Sequence, residues 1–379
     1  MRAGMFIEAL AEVYRVWLLV VPVFGRRTAT SDALVQRCCE REIVVAPQPQ
    51  TRSLAGITRR IDTRPALLRL FGNQARACAK AVGDQRFDAI HAFRLYTAPL
   101  AISLANAAPP SRHPRLDLDL DDIESSTHSR LSELYSMNGR SQEAAREAAE
   151  AMRYAKTERR LLHDFDRVYV CSQRDAHQIE WHTRGDVRVA PNAIRPPGSP
   201  VQSLTTHPFT FLFVGTLSYY PNEDAVLYFC REVLPRLRAG ARAPFRIRIV
   251  GTGLPPTFRF LSRLEEVRLI GEVADVGTEY ADADAIIVPI RGAGGTRIKV
   301  LEAFAYRRPV VATTIGVEGI NVSPDRHCLL GDTPGVFAAQ CLRLMGDRAL
   351  GGELAEKAYG LVTTHYSPES VRQAIIGPA

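Results

Sequence analysis

Short apolar runs separated by stretches of helix length limit this chain to parallel sheets covered on both faces by helices. In the first half they predict strands at Val16–Val21, Glu42–Ala46, Asp88–Ala92, Arg115–Leu120, Arg167–Cys171 and Val187–Ala190. In the second half they predict strands at Phe209–Val214, Phe245–Val250, Val267–Ile270, Ala285–Pro289 and Pro309–Thr313. Right-handed crossovers then give a doubly wound sheet in each half. Between the halves, Ile194-Arg195-Pro196-Pro197-Gly198-Ser199-Pro200 carries too many breakers for a helix or strand and reads as a linker. The expected organisation is a domain over 1–195, a linker over 196–208, a second domain over 209–360 and a C-terminal helix over 361–379 that returns to the first domain. Gly139–Phe165 reads as one long helix with Glu and Arg on its outer face.

At 379 residues and 46% hydrophobic content the chain is too long for one core and fits two. Seven cysteines without a Cys-x-x-Cys pair point to a reducing compartment, and away from a disulfide framework or a thiolate zinc site. The run from Val16 to Phe24 is too short to span a bilayer, and Glu8, Glu12 and Arg15 interrupt the approach to it, so it reads as a buried strand. The net charge of +7 belongs to the N-terminal half, with 29 − 23 = +6 over residues 1–199 and 19 − 18 = +1 over 200–379. That asymmetry suits an anionic partner or a membrane surface. Compositional bias accounts for it equally well, because Arg far outnumbers Lys.

The segment richest in chemistry follows the strand Ala285–Pro289. It is Gly294-Gly295-Thr296-Arg297-Ile298-Lys299-Val300-Leu301-Glu302-Ala303. Strand, glycine loop and helix in that order place free backbone N–H groups at a helix start, where phosphates bind. Thr296 is the expected N-cap, and Arg297 and Lys299 the cations of the first turn. The helix dipole disfavours cations there, so an anion in front of them is the simpler explanation. Lys299, Glu302 and Tyr306 share one helix face, and Ile298, Leu301 and Ala305 form the apolar stripe beside it. Lys299 and Glu302 make either a surface ion pair or a phosphate contact beside a carboxylate that accepts from sugar hydroxyls.

Other loops fall at the carboxyl edges of the predicted sheets, where open α/β folds bind ligands. Gly215 and Thr216 end the first strand of the second half, Gly251-Thr252-Gly253 reads as a plain tight turn, and Gly271-Glu272-Val273 offers backbone groups to a base edge. In the first half His91 ends a strand, as a structural or a functional residue. Asp121 and Asp122 read as solvated loop acids or an N-cap, and Asn192 as a residue that shapes the hinge. Arg52, Arg59, Arg60, Arg64 and Arg69, interleaved with Leu54, Ile57, Ile61 and Leu68, form either a solvated segment or a membrane-facing one broken by Pro65.

As an ordered set, "FVGTLSYYPNEDA", "RIRIVGTG", "VRLIGEV", "ADAIIVPIRGAGGTRIKVLEAFAYRRPVVAT" and "GVEGI" resemble glycosyltransferase family 4, the retaining GT-B enzymes. The resemblance runs from about Phe209 to Gly331, with weaker echoes in "FDAIHAFR", "LDLDDIES", "RVYVCSQRDA" and "VAPNAI". It implies an α/β GT-B fold, two doubly wound Rossmann-like domains facing across a cleft. The C-terminal domain would hold the nucleotide-sugar donor and the N-terminal domain the acceptor. Transfer would proceed with retention and without metal or other cofactor. Glu302 would bind the donor ribose, Gly295 would approach the donor through its backbone, Gly215 would lie beside the diphosphate and His91 would line the donor sugar.

Three positions depart from that pattern. Gly294 stands where the family's first glutamate contacts the sugar. Thr216 and Tyr219-Tyr220-Pro221 occupy the loop in which many members carry an Arg and a Lys, so Arg297 and Lys299 are expected to replace those charges from the other side. At the N-terminus, Gly4 to Tyr14 already reads as the first helix and Val16–Val21 as the second strand, so the family's first strand is either absent or upstream.

The catalytic candidates are therefore His91, Arg297 and Lys299. The donor-binding set is Gly215, Thr216, Glu272, Val273, Gly294, Gly295, Thr296, Arg297, Lys299 and Glu302. The expected partners are a nucleotide-diphosphate sugar and a glycan, lipid-linked or small-molecule acceptor, with no nucleic acid. The expected location is cytoplasmic, with peripheral contact at the inner membrane face through the basic N-domain. The competing readings are a sugar-nucleotide epimerase of the same fold and a non-catalytic sugar-nucleotide-binding protein.

Overall fold

The strand Phe209–Val214 (β7) is apolar and buried at almost every position, as the centre of a parallel sheet requires. A computed structural model of the chain describes residues 2–21, 33–45, 65, 68, 74–109, 111, 113–197 and 208–377. These divide into two compact units, one up to Pro191 with the residues from Arg372 onward, the other Asn192–Val371. Most of the expected linker, and the arginines from Arg52 to Arg69 expected to face a membrane, lie outside the described residues. No described helix is long and apolar enough to cross a membrane.

In the second unit β7 is joined by Phe245–Val250 (β8), Val267–Gly271 (β9), Ala285–Val288 (β10), Val310–Ala312 (β11) and Leu329–Leu330 (β12). All pairs are parallel and the order is β12-β11-β10-β7-β8-β9. The chain moves outward from β7 first through β8 and β9, then returns to lay β10 on its other side. That reversal splays the loops after β7 and β10 apart and opens a crevice at their carboxyl ends. Phe211, Phe213, Phe229, Phe304 and Phe337 fill the core. The helix Tyr220–Tyr228 widens to π geometry over Phe229–Val233, next to Pro235, which has no N–H to continue the ladder. The two-residue β12 is too short to show as an apolar run, and the sequence reading missed it.

In the first unit Ala89–Phe93 (β3), Arg115–Asp119 (β4), Arg167–Val170 (β5) and Asp186–Val189 (β6) form one parallel sheet. Val16–Val20 (β1) and Cys39–Val44 (β2) form a separate parallel pair. Strand β4 shows why the sheet has two unlike faces. Its Leu116 and Leu118 enter the apolar core, while Asp117 and Asp119 point the other way and are buried all the same. Arg115 neutralises Asp117 at 2.9 Å. Arg2, at the start of the helix Arg2–Ala11, grips Asp119 at 2.7 and 2.8 Å and the carbonyl of Ala190 at 2.6 Å. The long helix occupies Ser141–Leu161 and tightens to a 3₁₀ turn over Leu162–Asp164. Not all its acids face outward: Glu158 is buried and accepts from Ser125. From the far end of the chain, the carbonyl of Ile375 accepts from the Tyr169 hydroxyl at 3.0 Å.

Candidate functional site

The loop after β7 is set by close backbone packing. Gly251, at the end of β8, has φ 148°, and a Cβ there would lie 1.7 Å from the carbonyl oxygen of Gly215. Only glycine fits such an approach. The amide of Leu217 also donates to the carbonyl of Thr252 at 2.7 Å. The Gly251-Thr252-Gly253 segment bends after β8 and packs against the loop that holds Gly215 and Thr216.

On the other side of the switch point, the loop after β10 runs through Gly294, Gly295 (φ 68°) and Thr296 into the helix Ile298–Ala305. Two expectations are corrected here. The N-cap is Arg297 and not Thr296, whose hydroxyl is enclosed with no hydrogen-bond partner among the described residues. Nor does Arg297 stand in the first turn as a free cation. Its guanidinium folds back onto the loop and donates to the carbonyls of Ala293 at 2.8 Å, Gly294 and Gly295. One guanidinium thus donates to three successive carbonyls of the loop. Of the two cations, only Lys299 lies within the first turn and opposes the helix dipole.

Lys299 crosses the crevice. Its Nζ lies 2.7 Å from Oδ1 of Asn222, sits 4.4 Å from the centre of the Phe213 ring, and would meet a Cβ on Gly215 at 2.9 Å. Asn222 in turn donates from Nδ2 to the carbonyl of Thr216 at 2.9 Å. No ion pair reaches Lys299 among the described residues, so the expected alternative of a surface pair with Glu302 is not what forms. Burial, reinforced by the nearby charge of Arg297 and opposed by Glu302, pushes the ammonium down to about 7. A cation enclosed without a counter-ion is costly, and it marks a place where an anion would be stabilised.

One turn further along, Glu302 accepts from the Tyr280 hydroxyl at 2.8 Å, and Tyr306 stacks on the Tyr280 ring at 5.2 Å. Burial, then the Glu302 charge, holds the Tyr280 phenol well above its ordinary range, so it remains a donor. The carboxylate is thereby aimed and still partly accessible. Glu272, exposed, and Val273 follow Gly271 (φ 79°) at the end of β9, on the same carboxyl edge of the sheet. Asn222 is the residue the sequence reading passed over. The signal was an amide in the first turn of the helix directly behind the Gly215 loop.

In the first unit, His91 lies in the middle of β3 and not at its end, which corrects its expected placement. Its ring packs against Phe6 at 4.9 Å and Tyr169 at 5.7 Å. Both ring nitrogens are enclosed without a partner among the described residues, and burial lowers the imidazole pKa. The carboxyl ends of β3 and β4 instead present Arg94 and Asp121, both with left-handed backbone at φ 69° and 58°. Arg94 pairs with Asp121 at 2.5 Å and with Asp122 at 3.2 Å, so these acids are ion-paired, and neither is the N-cap; the helix Glu124–Met137 begins after Ile123. Asn192 is buried at the start of the second unit.

Residues 208–347 match the family described as "Glycosyl transferases group 1". The whole chain is similar in structure to sucrose-phosphate synthase from Thermosynechococcus elongatus, at 18% identity and a TM-score of 0.68, over 98% of this chain and 90% of that one. It is also similar to Anabaena HepE solved with UDP and glucose, at 17% identity and a TM-score of 0.62, over 98% and 94% of the two chains. A glycosyltransferase from Rickettsia africae ESF-5 aligns at 12% identity and a TM-score of 0.65, over 100% and 95%. No curated protein sequence matches this chain. The fold is GT-B, two Rossmann-like domains.

Proposed function

We propose that this glycosyltransferase of the GT-B fold, with its group 1 domain in the second unit, moves a sugar from a nucleotide-diphosphate sugar to an acceptor hydroxyl, with retention and without a metal. The observation that carries the donor site is Lys299: an enclosed amine with no ion-pair partner among the described residues, at the topological switch point, between two glycine loops. A diphosphate lying along Gly215 and Thr216 on one side and Gly294, Gly295 and Thr296 on the other would supply the missing charge. When the glycosidic bond breaks, negative charge grows on the departing diphosphate, and a charge already held in place stabilises it without reorganisation. Lys299 and the amides at the start of the helix Ile298–Ala305 fit that role. Arg297 serves it by holding the loop in shape.

Glu302, aimed by Tyr280, suits the two hydroxyls of a ribose, and the Glu272–Val273 loop suits the base. With Gly294 in the loop, sugar hydroxyls there would meet backbone groups in place of a carboxylate. The acceptor, a glycan, a lipid-linked species or a small molecule, belongs to the first unit, and His91 of that unit is the candidate to line the donor sugar. The basic N-domain suits a peripheral membrane contact.

Release of free nucleotide from UDP-, GDP- and dTDP-sugars, with and without sugar acceptors, tests the reading. UDP-sugars are the first choice, since HepE was solved with UDP. Turnover that yields nucleotide and glycosylated acceptor supports transfer. An isomerised donor would make the protein an epimerase, and binding without any turnover a sugar-nucleotide-binding protein.

A further inference from the structure

We propose that binding of a nucleoside diphosphate is coupled to uptake of one proton by Lys299, and that Asn222 is the positioning residue that holds the amine over Gly215 without neutralising it. The proposal rests on the donor-site reading above and adds the protonation step to it.

The geometry separates direction from charge. The Asn222 amide oxygen accepts one hydrogen bond from Nζ at 2.7 Å and is itself fixed through Nδ2 on the Thr216 carbonyl. It aims the amine at the loop that would carry phosphate, yet it brings no negative charge. Each element around the amine is equally sparing. From β7 comes the Phe213 ring. The acids of the helix Tyr220–Tyr228 are engaged elsewhere, Glu223 by Thr257 at 2.6 Å and Asp224 by Arg291 at 2.5 Å. From the helix Val276–Asp282 comes Tyr280, whose hydroxyl is given to Glu302. On its own helix Lys299 faces Arg297, which repels it, and Glu302, which attracts it. Taken together these surroundings favour the neutral amine, and burial brings its titration down to about 7. An incoming diphosphate reverses the balance, because it supplies the missing counter-charge at the point where the amine is aimed. Arginine could not work this way, since it stays charged at any accessible pH. Lysine is scarce in this chain, with only Lys80, Lys156, Lys299 and Lys357 among 48 basic residues, so its use at this position is pointed.

Calorimetric titration of the full chain with UDP at pH 8, in buffers of different ionisation enthalpy, reads the proton directly. At that pH the terminal phosphate of UDP is fully ionised, its second pKa being about 6, so an uptake belongs to the protein. The expected uptake approaches one proton at pH 8, and UDP affinity falls about tenfold per pH unit above it. The Asn222→Asp variant puts a carboxylate against Nζ, so Lys299 is charged before UDP arrives. It should lose the uptake at pH 8 and bind UDP at least about tenfold more weakly at pH 7, as one lost charge-assisted contact implies. Lys299→Arg should lose the uptake as well. Wild-type binding of UDP with no proton uptake at pH 8 overturns this inference and leaves the donor site standing. Absence of binding by UDP, GDP, dTDP and inorganic pyrophosphate alike overturns the donor-site reading and this inference with it. The wild-type measurement decides the question even if a variant does not fold.

Discussion

Gly215 and Lys299 share one niche: a Cβ on the glycine would sit 2.9 Å from the lysine Nζ. The same Cβ would lie 2.9 Å from Nδ2 of Asn222, so both polar groups of the pair are disturbed at once. Gly215→Ala should therefore weaken nucleotide binding by about 10- to 100-fold, the effect of displacing one or two charge-assisted hydrogen bonds. Its melting temperature should stay within a few degrees of wild type, since β7 itself is untouched. Unchanged UDP affinity by calorimetry would show that the niche is not a phosphate site.

Tyr280 reports on how Glu302 is used. Phenylalanine removes the 2.8 Å hydrogen bond while keeping the ring that stacks on Tyr306. The expected result is a donor KM raised about threefold to tenfold with kcat little changed, matching the loss of roughly 1 kcal/mol of orientation. Glu302→Ala should cost more, about 100-fold in kcat/KM, because both ribose contacts go. A wild-type donor KM in Tyr280→Phe beside an impaired Glu302→Ala would argue that Tyr280 acts by packing alone.

For Arg297 the consequence is structural. Removing it takes a charged donor from the carbonyls of Ala293, Gly294 and Gly295. Arg297→Ala should lose about 2–4 kcal/mol of stability by denaturant unfolding. Arg297→Lys should recover only part of that, because an ammonium cannot span the fork of acceptors that a guanidinium reaches. Wild-type stability with weakened nucleotide binding would instead return Arg297 to the role of a direct phosphate ligand.

Glu124 gives the first unit a pH signature. Burial, then the Asp122 charge, raises its carboxyl to about 7 against the pull of Arg94, which stands 3.8 Å away. A carboxyl whose folded pKa lies above its unfolded value holds its proton more tightly in the fold. Its contribution to stability is complete below pH 4.5 and is lost as pH rises through 7. Glu124→Gln should therefore gain stability relative to wild type between pH 5 and pH 8, seen as a growing difference in urea midpoint. A difference that is constant across this range would sink the assignment.

Much of the fold was legible because the signals were local. β7 and β8 occupy the runs the sequence marked, Phe209–Val214 and Phe245–Val250: β7 is buried at every position and almost wholly apolar, and β8 alternates buried Phe245, Ile247 and Ile249 with Arg246 and Arg248. The glycine loop before the helix Ile298–Ala305 was visible for a similar reason: strand, glycine and helix follow one another within a few residues. Where the reading went wrong, the deciding contacts were distant in sequence. Asp121 and Asp122 look like loop acids until β3 brings Arg94 to them from 27 and 28 residues away. His91 looks like a strand end until β4 pairs with Ala92 and Phe93 beyond it.

By itself, then, the sequence determined the parallel α/β architecture, the loops at its carboxyl edges and the presence of two cations at the start of one helix. It could not say where those cations point. Arg297 and Lys299 are two residues apart and alike in charge, yet one turns back onto its own loop and the other reaches Asn222, 77 positions earlier in the chain. Only the tertiary structure decides this, because the free energy of a buried charge is set by whatever acceptors and aromatic faces the fold assembles around it. Strand order put β7 beside β10, and that placement brought the Lys299 amine to Asn222 and the Phe213 ring.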